Sequence, residues 1–331
     1  MPANRRIVLA SRPTEQAELG HFRMEDAPTP AVGAGQVLVR NRFLSLDPYM
    51  RGRMSDRKSY AAPQPVDQVM IGETAGEVLE SRHDNFRPGD SVVGFLGWQL
   101  FGVADGKALR KVDATRIPLS AYLGVAGMPG VTAWYGLKHI ITPKTGETVA
   151  VSAASGAVGS VVGQLAKQGG CRAIGIAGGA DKCRYVTEEL GFDACIDYKS
   201  QKISDELKTL APQGVDGYFE NVGGDVLNGV LPHMNAFGRI ALCGLIAGYD
   251  GVPIPIRTPQ FFLSSRLKLQ GFIVSEHLDV WPTALAELRE LVAAGRLKYR
   301  ETIAEGLDSA PQAFLGLLKG RNFGKQLVRL S

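Results

Sequence analysis

Thr148-Val149-Ala150-Val151-Ser152-Ala153-Ala154-Ser155-Gly156-Ala157-Val158-Gly159-Ser160-Val161-Val162-Gly163-Gln164-Leu165-Ala166-Lys167-Gln168-Gly169 is the stretch that decides the fold. The β-branched run around Val149 and Val151 has the composition of a buried parallel strand, whereas Val158, Val161, Val162 and Leu165 recur at helical spacing. Between them lies a turn of small residues. Strand, turn and helix in this order predict a dinucleotide-binding unit: Gly156, Ala157, Val158 and Gly159 bring backbone up to a pyrophosphate, and the helix N-terminus attracts its negative charge. Gly163, one turn further on, is expected to let the helix lie close against its strand. The turn is a variant, with alanine where the usual first glycine stands, and any α/β domain can start a helix on small residues. The residues downstream favour the dinucleotide.

A second strand, Ala173-Ile174-Gly175-Ile176-Ala177, ends in Gly178-Gly179-Ala180-Asp181-Lys182. This corner falls about 20 residues past the glycines, where an NAD-binding unit carries a carboxylate for the ribose hydroxyls. Here two glycines hold the position, and the first acid, Asp181, comes late and beside Lys182. Small residues and a cation suit a 2′-phosphate, so the cofactor is expected to be NADP(H). Taken alone, Lys182 would read as a solvated lysine at a helix start.

Working outward, the strand candidates 147–152, 173–177, 193–196, 216–220, 239–243 and 268–273 make six, a complete doubly wound parallel sheet. Residues 1–120 instead read as short strands between turns, among them Val37–Phe43, Gly72–Glu80 and Pro88–Gly94. The tail from about residue 300 returns to a strand-like pattern. The chain of 331 residues is therefore divided into a β-rich domain of 1–124 with 300–331 and a cofactor domain of 125–299.

Composition narrows the function classes. A hydrophobic content of 45% comes without an apolar stretch long enough to cross a bilayer, and the start of the chain lacks a secretory core, so a cytoplasmic protein without a membrane partner is expected. A formal charge of +4 with no basic run gives no footprint for nucleic acid. Cys171, Cys183, Cys195 and Cys243 form no Cys-x-x-Cys pair and all lie in the cofactor half, and the five histidines show no ligand spacing. No metal site is expected, and the thiols read as free and buried.

Several motifs together resemble one family. They are Phe43-Leu44-Ser45-Leu46-Asp47-Pro48-Tyr49-Met50-Arg51-Gly52, Gly127-Met128-Pro129-Gly130-Val131-Thr132-Ala133, the glycine turn, Phe219-Glu220-Asn221-Val222-Gly223-Gly224, and Gly271-Phe272-Ile273-Val274. Over nearly the whole chain the sequence is similar to the zinc-free medium-chain dehydrogenase/reductases, in the leukotriene B4 12-hydroxydehydrogenase/prostaglandin reductase branch, which includes plant alkenal double-bond reductases and bacterial curcumin reductase.

The resemblance implies a GroES-like N-terminal domain, a homodimer, and NADPH-dependent reduction of the carbon–carbon double bond of a small enone or enal. Hydride goes to the β-carbon, negative charge appears on the carbonyl oxygen, and the α-carbon takes a proton, so the site needs a hydroxyl donor at that oxygen. By position, Lys182 and Tyr198 would hold the 2′-phosphate, Asn221 would lie by the ribose or nicotinamide, and Cys243, Gly244 and Tyr249 would line the cofactor. Phe272, Ile273 and Val274 would bond the carboxamide through backbone, and Asn322 would close over it. Tyr249, Tyr49 and Tyr60 are the candidate catalytic hydroxyls. Many eukaryotic members carry a tyrosine where this chain has Ser264. A quinone reductase of the same fold and a non-catalytic NADPH-binding sensor are the alternatives.

Overall fold

The computed structural model describes residues 3–330, which divide into two compact units, 3–124 with 301–330 and 125–300. In the second unit the strands Thr148–Ser152, Arg172–Ala177, Ala194–Asp197, Val215–Glu220, Met234–Leu242 and Lys268–Gly271 form one sheet. All adjacent pairs run parallel. Numbered along the chain, the spatial order is 3-2-1-4-5-6, so strand order reverses between Thr148–Ser152 and Val215–Glu220. Ligands of such sheets sit outside the carboxyl ends at that reversal. The last strand stops at Gly271, earlier than the sequence suggests, because Phe272 turns in to pack on Phe219 and Tyr135. Both faces are covered: Ala150, Ile174, Ile176, Ile196 and Ile240 are under 2% exposed, which is why these strands read as continuous apolar runs.

The first strand breaks at Ala153, whose φ of 49° is unusual for a residue with a side chain, and the helix Gly159–Gln168 begins after the turn. A Cβ on Gly159 would lie 2.4 Å from the Ala153 carbonyl oxygen, so only glycine lets the helix start this close to the turn. Gly163 serves a different neighbour from the one the sequence suggested. Its missing Cβ makes room for the ring of Phe192, which a side chain there would meet at 1.8 Å, and not for the strand.

The other unit is built on a seven-stranded sheet. Its order is Glu301–Glu305, Lys325–Arg329, Gln36–Ser45, Thr74–Ser81, Ser91–Gly94 and Arg110–Lys111, with Phe101–Asp105 also paired to Gln36–Ser45. The C-terminal strand Lys325–Arg329 runs antiparallel to Gln36–Ser45, with Leu327 opposite Ser45. Leu44, Leu46, Met50, Met54, Trp98, Phe314 and Val328 form the core beside it. The chain leaves Gln36–Ser45 into a short helix, Tyr49–Arg53. No helix among the described residues is long and apolar enough to cross a membrane.

Candidate active site

At the corner after the second strand, Gly178, Lys182, Tyr198 and Lys199 come together. A Cβ on Gly178 would lie 2.8 Å from the Tyr198 hydroxyl, so the phenol lies over the glycine. Burial, and then the charge of Lys199, pull the Lys182 ammonium below the ordinary lysine range. The like charge of Lys199 disfavours the Lys182 ammonium, and a bound anion would relieve that repulsion. Lys199 is a residue that the sequence reasoning passed over. It follows Tyr198 at the end of the third strand, and only the pairing of Asp197 with Ala177 brings it beside the second.

The acids near this corner are already engaged. Asp181 is paired with Arg184 on the exposed side of its helix, and Asp197 Oδ1 accepts the Gly179 N–H at 2.7 Å and the Lys199 N–H at 3.1 Å. The small-residue turn, the lysine pair and the phenol fit a dinucleotide with a 2′-phosphate.

Where strand order reverses, the ends of the first and fourth strands are tied together. Ser152 Oγ donates to Glu220 Oε1 at 2.7 Å and accepts the Asn221 N–H at 2.7 Å, while Asn221 Nδ2 donates to the Ser152 carbonyl at 2.8 Å. Glu220 is fully buried and also accepts from the Tyr218 hydroxyl at 2.7 Å. Asn221 therefore ties the two strand ends together through its backbone N–H and its side-chain amide nitrogen. Burial, reinforced by Glu220, pushes the Cys243 thiol up to about 12. Gly244 and Tyr249 lie close: a Cβ on Gly244 would stand 3.3 Å from the Tyr249 hydroxyl. Ile254 packs over Gly223, Gly224 and Gly248, holding its own segment down on the Gly223-Gly224 turn. Phe272 is buried, and Ile273 and Val274 follow it into a turn. Ser264 is exposed at the end of a short helix whose Phe261 and Phe262 pack on the core of the cofactor unit.

In the other unit, the Asp-Pro-Tyr-Met-Arg run is locked from both sides. Lys325 Nζ donates to Asp47 Oδ1 and to the Leu46 carbonyl, both at 2.8 Å, and Ser45 Oγ donates to Asp47 Oδ2. Met50 is wholly buried, and the Arg51 guanidinium donates to the Glu15 carbonyl. Tyr49 sits between them with its hydroxyl buried and without a hydrogen-bond partner. Burial, then the nearby charges of Asp47 and Glu73 and the Tyr60 hydroxyl, raise its pKa well above the ordinary value, so it is held as a neutral donor. Tyr60 is close enough to act on it, though 54% exposed. Glu73, also unmarked by the sequence reading, is pushed up to about 7 by burial against the pull of Arg110. Asn322 Nδ2 is used locally, donating to the Gly324 carbonyl at 2.7 Å.

Residues 5–112 match a family model described as the N-terminal domain of oxidoreductase, and residues 157–290 match one described as zinc-binding dehydrogenase. Over 335 aligned residues the chain is 46% identical to the NADPH-dependent curcumin reductase of Escherichia coli (strain K12), with 99% of this chain and 97% of the relative covered. The chain belongs to the medium-chain dehydrogenase/reductase family.

Within that family it is 41% identical to the NADP(+)-dependent 2-alkenal reductase of Nicotiana tabacum, covering 90% of this chain and 88% of the relative. The crystal structure of CurA from Vibrio vulnificus in complex with NADPH matches with a TM-score of 0.93 at 43% identity, covering 99% of both chains. Although the second family model is described by zinc, no group of three or more His, Cys, Asp or Glu that could hold a metal is found among the described residues of this reductase relative.

Proposed function

We propose that the protein reduces the carbon–carbon double bond of α,β-unsaturated ketones and aldehydes with NADPH. The observation that carries this is near-full-length identity to relatives named for NADPH-dependent reduction of curcumin and of 2-alkenals. The corner of Gly178, Lys182, Tyr198 and Lys199 supports NADPH over NADH as the donor.

When bound, NADPH supplies the hydride that reaches the β-carbon. The protein's own task is to steady the charge that then develops on the carbonyl oxygen, for which one preorganised donor supplies about 3–4 kcal/mol. Tyr249 is the first donor in this reading. Tyr49 and Tyr60 are the other two hydroxyls, and Tyr49 in particular has a buried O–H with no protein acceptor, so a substrate oxygen would satisfy it. The backbone of Gly156 to Gly159 would hold the pyrophosphate, and Asn221, Cys243, Gly244, Phe272, Ile273, Val274 and Asn322 would surround the rest of the cofactor.

The proposal includes a cytoplasmic homodimer. The edge strand Lys268–Gly271 pairs on one side only among the described residues, and Phe237 on the neighbouring strand Met234–Leu242 and Leu263 on the helix before the edge strand stand 66% and 82% exposed.

Oxidation of NADPH measured with 2-nonenal, with a simple quinone and with NADH in its place tests the reading, the product being identified by mass. A saturated aldehyde formed with NADPH in clear preference supports it. Turnover of the quinone alone makes the protein a quinone reductase, and tight NADPH binding without turnover makes it a sensor.

A further inference from the structure

Two cysteines that the reduction leaves unused lie against each other near the phosphate corner. Cys183 is on the helix Ala180–Arg184 and Cys195 on the strand Ala194–Asp197, and their Sγ atoms are 2.9 Å apart. Both are partly exposed, unlike Cys171, which is 3% exposed. The sequence reads all four thiols as free and buried; all four are free, but only Cys171 is also buried, and Cys183 and Cys195 lie in contact. Space for the Cys195 sulfur is left by Gly175 on the neighbouring strand, whose Cβ would stand 3.4 Å from it.

The two thiols divide the labour that disulfide formation needs. Cys195 donates its proton to the Cys183 sulfur, and this hydrogen bond draws the Cys183 thiol below the ordinary range while it pushes Cys195 up. Cys183 is the nucleophile of the pair, since thiolate character and access together set a cysteine's reactivity. Cys171 and Cys243 are both raised by burial and are inert by the same rule.

We propose that Cys183 and Cys195 form an oxidisable dithiol, closed to an intrachain disulfide by hydroperoxides. The Cys183 thiolate attacks an oxygen of the O–O bond; that bond breaks, the leaving oxygen takes a proton and departs as alcohol or water, and Cys183 becomes a sulfenic acid. Cys195 then gives up its proton and its sulfur attacks Cys183 Sγ. The S–S bond forms, the S–O bond breaks, and hydroxide leaves with that proton as water. The two thiols lose two electrons and the peroxide gains them. Closure brings the sulfurs from 2.9 Å to bonding distance, about 2.05 Å, and draws in the helical turn that carries Lys182.

The test is made on the full chain without cofactor. The protein is exposed to hydrogen peroxide, its remaining thiols are alkylated under denaturing conditions, and intact mass and peptide map are read. Expected are loss of two hydrogens, alkylation confined to Cys171 and Cys243, a 183–195 cross-linked peptide, and full reversal by dithiothreitol. Cys195→Ser should instead leave Cys183 as a sulfenic acid that dimedone traps. Absence of the cross-link in the unaltered protein, or oxidation of Cys171 as fast as Cys183, overturns the proposal. NADPH affinity of the bridged protein separates this inference from the reading of Lys182. A several-fold loss supports both, whereas unchanged affinity in a bridged protein upholds the dithiol and removes Lys182 from the phosphate site.

Discussion

The ammonium of Lys325 lies 2.8 Å from Asp47 Oδ1, with the two side chains only 5% and 8% exposed, so a buried ion pair fastens a strand near the end of the chain to the turn that carries Tyr49. Removing one partner leaves the other charge uncompensated in the core. Lys325→Met is expected to cost about 3–5 kcal/mol, whereas Lys325→Met combined with Asp47→Leu should recover much of that loss. Denaturant midpoints of the three proteins check this; a single variant as stable as the parent would mean that the pair does not hold the turn.

Tyr49 offers a test that separates packing from chemistry. Its hydroxyl has no partner to lose, so Tyr49→Phe should leave the melting temperature unchanged or slightly raised, because an unsatisfied buried hydroxyl is a cost. Tyr249→Phe should lower kcat by about 10²–10³ if it supplies the oxyanion donor. Steady-state rates with 2-nonenal beside thermal melts give both readings, and an unaltered kcat in Tyr249→Phe would move the donor role to Tyr49 or Tyr60.

At the phosphate corner, Lys182→Ala and Lys199→Ala should each raise KM for NADPH by about tenfold, or about 1.4 kcal/mol, and leave KM for NADH unchanged. The double variant should bring the two cofactors close to parity. Equal losses toward NADH would show that the lysines support the fold of the corner and do not read the 2′-phosphate.

Glu73 sets a pH dependence. Its carboxyl titrates from an ordinary 4.5 in the unfolded chain to about 7 when buried. The protonated form is favoured by folding, so its contribution is fully present below pH 4.5, falls as pH rises, and is lost above 7, a swing of about 3 kcal/mol. Glu73→Gln should therefore match the parent near pH 4.5 and be more stable at pH 8. Denaturant midpoints at the two values check the sign, and a Gln variant weaker at pH 8 would show that the charged carboxylate is held by Arg110 and Lys325.

The parallel sheet was legible in the sequence because its strands are buried on both faces and its connecting turns are marked by glycine, so Val149, Ile174 and Ile240 carry the pattern on their own. Asp47-Pro48-Tyr49 was legible as a motif, but its environment was not. Lys325, which neutralises Asp47, stands 278 positions away, and no local periodicity encodes a pairing at that separation. The role of Lys199 and the contact of Cys195 with Cys183 escaped notice for a related reason: which residues stand beside Lys182 and Cys183 is set by the parallel pairing of Ala194–Asp197 with the strand before it. Gly163 was recognised as a close-packing position, but the partner is a ring from a loop, and a glycine does not say what fills the space it leaves.

The strand Lys325–Arg329 lies inside its sheet, between Glu301–Glu305 and Gln36–Ser45, yet it is synthesised after the whole of residues 125–300. The cofactor unit has all its strands while the other sheet still lacks an interior member and Asp47 still lacks its cation. The unit that starts first is the one that finishes last, and a chain broken off early in translation carries the Tyr49 turn without the lysine that holds it in place.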